Sequence, residues 1–221
     1  MCFIVAVDGP AGSGKGTITK RIEQELGLMN LDTGATYRCV ALEIIRHGLK
    51  IDDEEAIIKL LDNIDIKIKK ELGKDIIYLN GEDVSKEIRD IPVTKMVSQI
   101  SSIIPVREKL IEIQRELAKG KNVIAEGRDI GTVVFPNANL KIYLDANEEI
   151  RAQRRYKECL EKGIKMSYQE VLDNIRTRDQ NDKNKKFGAL KKAEDAIVID
   201  TSNITIDEVV NKVKKEITER M

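Results

Sequence analysis

The sequence predicts an α/β fold in which helices cover both faces of a five-stranded parallel sheet, with a small antiparallel sheet inserted. Two observations predict it. Five short apolar runs alternate along the chain with segments of helical pattern, which is typical of strands buried on both faces. One central stretch, residues 63–91, instead alternates apolar and polar residues, which is typical of strands with one wet face.

The apolar runs are spread over the whole chain. They are CFIVAV (2–7), MNLD (29–32), NVIAE (122–126), LKIYLD (140–145) and AIVID (196–200). Their lengths fit buried strands better than buried helices. We therefore expect these five segments to form the parallel sheet.

Helical segments separate and follow these runs. The expected helices are a segment that ends near residue 26, then 35–47, 92–102, 105–119, 147–162, 167–184 and 205–221. Ser167 with Glu170, and Thr205 with Glu208, have the spacing of a capping box. This spacing marks the starts of the last two helices.

The insertion contains two expected strands and a turn. IDIKIK (64–69) alternates strictly, ELGKD (71–75) has the composition of a turn, and IIYLN (76–80) is the second strand. Alternation of this kind predicts an antiparallel sheet with one face in water. We therefore expect a small lobe at about 63–91.

Composition excludes several classes of protein. Among 221 residues, 38 Lys and Arg balance 38 Asp and Glu, so the chain has no global attraction for nucleic acid or anionic membranes. We read neither a signal peptide nor a membrane span, because no run approaches roughly 18 apolar residues. Cys2, Cys39 and Cys159 are odd in number and far apart, which favours a reducing, cytoplasmic location.

The segment GPAGSGKGT (9–17) lies between the first strand and the first helix. Glycines at these positions let backbone N–H groups converge on an anion, the helix N-terminus adds partial positive charge, and the lysine reaches terminal phosphates. The alternative, a glycine-rich turn that only permits tight packing, explains the lysine less well. We expect ATP or GTP to bind at Gly9, Pro10, Ala11, Gly12, Ser13, Gly14, Lys15, Gly16 and Thr17.

The hydroxyl residue of this loop lies one position later than in the usual phosphate-binding loop. A G-x-x-x-x-G-K-[ST] loop has Ser or Thr after the lysine, where it ligates Mg²⁺. Here Gly16 occupies that position and Thr17 follows it. Thr17 is therefore expected either to hold the phosphates or to reach the metal from the next helical position. This variation resembles the loop of the nucleoside monophosphate kinases.

Arginines are concentrated where phosphates would have to be neutralised. Arg38 follows the second strand and Arg128 the third, and five more flank the turn GIKM (163–166), namely Arg151, Arg154, Arg155, Arg176 and Arg178. Arginine suits phosphate because its guanidinium binds two oxygens at once. We expect a short helical lid at about 155–167 that closes over the phosphates, and a core at 1–62, 92–154 and 168–221.

Four further motifs extend the resemblance over essentially the whole chain. LDTGATYR (31–38), GEDVSKEIR (81–89), EGRDIGTVVFP (126–136) and RDQNDKNK (178–185), in this order after the loop, resemble bacterial cytidylate kinases. The resemblance implies a three-layer P-loop kinase fold, with the inserted lobe binding the monophosphate. It also implies that ATP, with Mg²⁺, phosphorylates CMP, and dCMP as a second acceptor, in pyrimidine nucleotide metabolism.

The resemblance assigns roles residue by residue. It places cytosine contacts on Ser98, Arg107 and Asp129, ribose contacts on Arg178 and Asp182, and acceptor-phosphate contacts on Arg38 and Arg128. Thr33 stands where the family commonly has serine, and Lys185 where it has a phosphate-binding arginine. The expected carriers of transition-state charge are Lys15, Arg128, Arg154, Arg155 and Arg178.

Cytosine recognition also has a chemical basis. Cytosine offers an N4 amino donor beside N3 and O2 acceptors, which a carboxylate and an arginine complement. Asp129 with Arg107 therefore favours cytosine and disfavours uracil, whose O4 would face the carboxylate.

Two alternatives stay open. One is a kinase for another small acceptor, such as UMP, AMP or shikimate. The other is a nucleotide-binding regulatory protein, in one form an RNA-binding one, which zero net charge and 4% aromatic residues argue against. The expected partners are CMP or dCMP and ATP, without nucleic acid or membrane, and a monomer is expected.

Overall fold

The computed structural model describes residues 2–71, 73–161 and 163–221, without the side chain of Lys74. Leu72 in the predicted turn and Lys162 in the predicted lid lie outside the described residues. Contacts divide the chain into two units, one formed by Met1–Leu31 with Gly120–Met221 and the other by Asp32–Lys119. We call them unit 1 and unit 2. No helix among the described residues is long and apolar enough to cross a membrane.

The elements follow one another in an α/β order. The first half of the chain contains β1 (Ile4–Asp8), α1 (Lys15–Leu26), β2 (Met29–Asp32), α2 (Thr33–Arg46), α3 (Glu54–Asp62), β3 (Ile66–Glu71), β4 (Lys74–Leu79), β5 (Glu82–Asp83), α4 (Ile91–Ile100) and α5 (Ile104–Ala118). The second half contains β6 (Val123–Gly127), β7 (Leu140–Asp145), α6 (Glu148–Glu161), α7 (Tyr168–Lys183), β8 (Ile197–Asp200) and α8 (Ile206–Thr218).

The five apolar runs form one sheet, as predicted. The strand order is β2-β6-β1-β7-β8, so β1 lies at the centre and pairs in parallel with both β6 and β7. Asp8, at the end of β1, is opposite Gly127 on one side and Tyr143 on the other. In a parallel sheet all carboxyl ends point the same way, so the loops after β1, β6 and β7 leave from the same edge.

Unit 1 buries two apolar clusters. One joins β1, β6 and β7 to α1 and α8, with Val5, Ile22, Ile142 and Val213 at or near zero exposure. The other lies between α6 and α7. Both predicted capping boxes are present, at Ser167 and at Thr205.

Unit 2 has an apolar core of its own. Its antiparallel sheet has the order β3-β4-β5, which confirms the inserted sheet predicted from the alternating stretch. The sheet packs with helices α2 to α5 around buried residues that include Ile57, Leu79 and Leu110. Helix α3 was not predicted. The extent of the predicted lobe, 63–91, and of the predicted lid, 155–167, stay predictions.

Candidate active site

The loop between β1 and α1 takes a backbone shape that depends on glycine. Gly12 and Gly14 have φ of 77° and 92°, a range that residues with a side chain rarely adopt. A Cβ on Gly9 would lie 2.1 Å from the carbonyl oxygen of Leu144. Helix α1 begins immediately after Gly14, so the partial positive charge of the helix N-terminus lies at the end of the loop. The loop therefore has the geometry of an anion-binding site.

Lys15 is buried within this loop. Its ammonium donates to the carbonyl oxygens of Gly9 at 2.8 Å and Pro10 at 2.7 Å, and the residue is 6% exposed. Burial, followed by the charge of Arg128, lowers the pKa of Lys15 well below its ordinary value, and Arg178 acts in the same direction. A lysine that reaches terminal phosphates, as the sequence predicts for Lys15, would stand open on the loop. Lys15 lies against the loop carbonyls instead, because their oxygens satisfy an ammonium that has left water.

A buried carboxylate lies immediately before the loop. Asp8 is 4% exposed, and its two oxygens accept the N–H groups of Ile130 and Gly131, each at 2.8 Å. Burial raises the pKa of Asp8 to about 6, although these two N–H groups act in the opposite direction. Sequence reasoning assigned Asp8 no role.

Arg128, directly after β6, belongs to a cluster of charges. Its Nε donates to Asp182 Oδ2 at 2.8 Å, and Lys185 Nζ lies 3.0 Å from Asp182 Oδ1. Burial acts to raise the pKa of Asp182, but the charges of Arg128 and Lys185 and their hydrogen bonds outweigh it, and the pKa is lowered. Lys185 thus contacts the carboxylate that also orients Arg128.

The arginines predicted around the lid differ in their surroundings. Arg151 is 5% exposed and donates to the carbonyl oxygens of Ala11 at 2.9 Å and Ala146 at 2.8 Å, with Asp179 Oδ2 at 2.6 Å. It is therefore a buried contact of the phosphate loop, and not an exposed lid cation. A Cβ on Gly12 would lie 3.3 Å from the Cβ of Arg151, so glycine also permits this packing.

The remaining arginines of this group are exposed. Arg154 donates to the hydroxyl oxygen and the carbonyl oxygen of Thr201, while Arg155 pairs with Glu158 at 2.7 Å. Arg176 pairs with Glu148 at 2.7 Å. Arg178 lies on α7, where its charge acts on Lys15. Unit 1 thus brings Arg128 and Arg178 within electrostatic range of Lys15.

Unit 2 holds four predicted site residues. Thr33 is the buried first residue of α2, and Arg38 on the same helix donates to Thr94 Oγ1 at 2.7 Å. Arg107 on α5 is 2% exposed and donates to the carbonyl oxygen of Ser101 at 3.2 Å. Ser98, on α4, is partly buried.

Two side chains near these residues were not singled out from the sequence. The guanidinium of Arg107 lies over the ring of Tyr37, with its carbon 5.6 Å from the ring centroid. Gln114 Nε2 donates to Thr36 Oγ1 at 2.8 Å, and that hydroxyl donates to the carbonyl oxygen of Thr33 at 2.8 Å. Both contacts join predicted site residues to buried groups and restrict their orientation.

Comparison with known proteins places the whole chain among its relatives. The family profile described as "Cytidylate kinase" matches residues 5–219. The chain is 49% identical over 209 residues to a cytidylate kinase of Caldicellulosiruptor saccharolyticus, covering 95% of this chain and 92% of that one. It is 45% identical over 217 residues to a cytidylate kinase of Halalkalibacterium halodurans, covering 98% of each chain.

A third relative and one solved structure complete the comparison. A cytidylate kinase of Fusobacterium nucleatum is 47% identical over 215 residues, 97% of each chain. The crystal structure of an uncharacterized protein from Eubacterium ventriosum superposes with a TM-score of 0.54 at 12% identity, covering 99% of both chains. That likeness concerns the fold alone. The profile match over nearly the whole chain and the identity to these relatives show that the chain belongs to the cytidylate kinase family.

Proposed function

We propose that the protein transfers the γ-phosphoryl group of ATP to CMP, giving ADP and CDP, with dCMP as a second acceptor. The observation that carries the proposal is the concentration of positive charge at the phosphate loop. Burial lowers the pKa of Lys15, and the charges of Arg128 and Arg178 lower it further, so both arginines act on the region of Lys15. Such a region suits a reaction that gathers several phosphate groups.

The reaction needs alignment and charge stabilisation more than a general base. The attacking group is a phosphate oxygen of CMP, which is anionic at neutral pH. Lys15 is proposed to bind the terminal phosphates of ATP, and Arg128, Arg154, Arg155 and Arg178 to stabilise the charge on the transferring group. The loop residues Gly9 to Thr17 supply the N–H groups that hold the other phosphates.

Recognition of CMP is proposed for two sets of residues. Asp129, Arg107 and Ser98 are proposed to bind the cytosine, and Arg178 and Asp182 the ribose. A second set is proposed for the acceptor phosphate, namely Arg38, Arg128, Thr33 and Lys185. Support comes from the partners already described, because Asp182 and Thr94 orient Arg128 and Arg38.

Mg²⁺ fits the residues at the start of α1. Thr17 is exposed on its first turn, and a Cβ on Gly16 would lie 3.1 Å from Glu126 Oε1, so this carboxylate lies beside the same turn. The described residues hold no cluster of three His, Cys, Asp or Glu side chains suited to a metal, but kinases bind Mg²⁺ through one or two side chains plus substrate phosphates. We propose Thr17 and Glu126 for this role. Bound Mg²⁺ would neutralise phosphate charge.

The protein is proposed to be a monomer and to be located in the reducing cytoplasm. The three cysteines are free thiols, which supports such a compartment. Size-exclusion chromatography with light scattering tests the oligomeric state, and a dimer at working concentration would contradict the proposal.

An ADP-release assay with each acceptor in turn tests the function. We expect CMP and dCMP to support turnover in the presence of ATP and Mg²⁺, and UMP, AMP and shikimate to support much less. Faster turnover with AMP or shikimate than with CMP would show that the protein is a kinase for that other acceptor. ATP binding without turnover on any acceptor would favour a regulatory role.

A further inference from the structure

Asp8 is a buried carboxylate that the proposed mechanism leaves without a task. It is the last residue of β1 and directly precedes Gly9. The two N–H groups that it accepts, from Ile130 and Gly131, are the first of a π-helical turn, Ile130–Val134. The first N–H groups of a helical segment have no partner inside it. Asp8 therefore caps this turn from a different strand.

The segment that Asp8 holds carries two proposed site residues. Arg128 and Asp129 lie between Gly127, which is opposite Asp8 in the sheet, and Ile130, whose N–H the Asp8 carboxylate accepts. The residues on both sides of Arg128 and Asp129 are thus held by Asp8.

The approach of the turn to Asp8 is close. A Cβ on Gly131 would lie 3.0 Å from Lys141 Cδ and 3.4 Å from Asp8 Oδ2. A glycine at this position lets the backbone N–H reach the carboxylate. Burial raises the pKa of Asp8, so the folded chain keeps this carboxyl where ionisation is unfavourable.

We propose that Asp8 is a positioning residue, whose carboxylate fixes Arg128 and Asp129 beside the phosphate loop by holding the N–H groups of Ile130 and Gly131. The inference rests on the proposed function, because it takes Arg128 and Asp129 as CMP-binding residues. A role as counter-ion of Lys15 is the competing explanation. It has less support, because the charge of Asp8 follows burial, Arg128, Glu126 and Arg178 among the influences on the pKa of Lys15.

Asp8→Asn tests the proposal with little change of shape. Asparagine keeps one acceptor oxygen but replaces the other by an NH₂ group, which cannot accept an N–H. The matched control is Asp53→Asn, an exposed carboxylate that accepts the N–H of Ala56 at 3.1 Å at the start of α3. In the full-length protein we expect Asp8→Asn to raise the KM for CMP about tenfold, the scale of a lost charged hydrogen bond. The KM for ATP should stay within about twofold, and the control should match the wild type.

Amide hydrogen exchange gives a readout that needs no substrate. Exchange at Ile130 and Gly131 should accelerate about tenfold in Asp8→Asn and not in Asp53→Asn. Unchanged exchange would overturn the proposal. Equal rises in the KM for ATP and CMP would also overturn it, in favour of the counter-ion role.

Two further results separate the remaining explanations. Absence of CMP turnover in the wild type would refute the proposed function and the CMP-site role of Asp8 together, while the exchange rates would still decide whether Asp8 holds the turn. If Asp8→Asn does not fold, Gly131→Ala displaces the same N–H and leaves Asp8 in place. It should raise the KM for CMP alone, and an unchanged KM would count against positioning.

Discussion

Arg154 donates to Thr201 twice, to the hydroxyl oxygen at 3.1 Å and to the carbonyl oxygen. Thr201 follows β8, and its hydroxyl lies 3.3 Å from the carbonyl oxygen of Ser13 in the phosphate loop. An arginine that the sequence placed beside the lid is thus joined to the loop through one residue.

Replacing Arg154 and Arg155 together with Ala should lower kcat far more than it raises the KM for CMP. In the proposed mechanism both arginines stabilise charge on the transferring group, and in related phosphoryl transfers such an arginine contributes roughly 10³ to 10⁵ in rate. Steady-state kinetics with both substrates measures the effect. The control is Arg21→Ala, which changes a partly exposed arginine on α1. A change confined to CMP affinity would place these arginines at the acceptor.

Lys15→Met should lower kcat by about 10² to 10³-fold or more, because it removes a side chain that is proposed to bind the terminal phosphates of ATP. The protein should stay folded, since methionine fills a similar volume and introduces no buried charge. Lys20→Met changes an exposed lysine of the same helix and should leave kcat unaltered. The ADP-release assay and a thermal melt measure the two properties, and near-normal turnover would rule out the P-loop mechanism.

Asp129→Ala should shrink the preference for CMP over UMP by roughly 10- to 100-fold. The carboxylate accepts from the cytosine N4 amine in the proposed complex and repels the uracil carbonyl. The turn should persist, because the backbone oxygen of Asp129 accepts the N–H groups of Val133 and Val134. Parallel kcat/KM values for CMP and UMP measure the ratio. Equal losses for both would remove the base-reading role.

The stability of the protein should depend on pH through Asp8. The pKa of Asp8 is about 6 in the folded state, against an ordinary value of 3.8 for an aspartate in the unfolded chain. At a pH between these two values the folded state therefore binds more protons than the unfolded state. Raising the pH through this window should therefore lower the free energy of unfolding, by about 3 kcal/mol for a shift of about two units. Asp129 and Lys15 face Asp8 and act on its pKa in opposite directions.

Urea denaturation of the wild type and Asp8→Asn at several pH values isolates this contribution. The wild type should lose stability relative to the variant as the pH rises from about 4 to about 7, because the asparagine side chain of the variant cannot ionise. A difference that stays constant over this range would contradict the raised pKa.

The sheet was predictable because its signal is local. Runs such as LKIYLD (140–145) are long enough and apolar enough to indicate strands without their neighbours. Helix α3 was missed although Asp53 caps it and Ile57 and Leu61 form its buried side. This helix has only nine residues and directly precedes the alternating stretch 63–91. The strand pattern of that stretch is the stronger local signal. The π-helical turn after Asp129 was missed because no local period marks it.

The sequence predicts the motifs of the candidate site but not the contacts between them. The loop could be named because glycines and a lysine at this spacing, between a strand and a helix, are typical of phosphate binding. Asp8 with Ile130 and Thr201 with Ser13 are contacts between segments 122 and 188 residues apart. Such contacts depend on strand order, which a single sequence does not encode locally. The burial of Lys15 has the same origin.

The apolar core of unit 2 and the larger apolar cluster of unit 1 are built from differently spaced parts of the sequence. The core of unit 2 draws on one continuous stretch from Ala35 to Leu110, whereas that of unit 1 joins Phe3 to Ile124 and Ile217. On a ribosome the chain emerges from its N-terminus, so β1 leaves the tunnel before either strand that pairs with it. Contacts distant in sequence also form later, because closing a long loop costs entropy. We therefore expect unit 2 to fold during synthesis while β1 waits unpaired, and the phosphate loop to take shape among the last parts of the molecule.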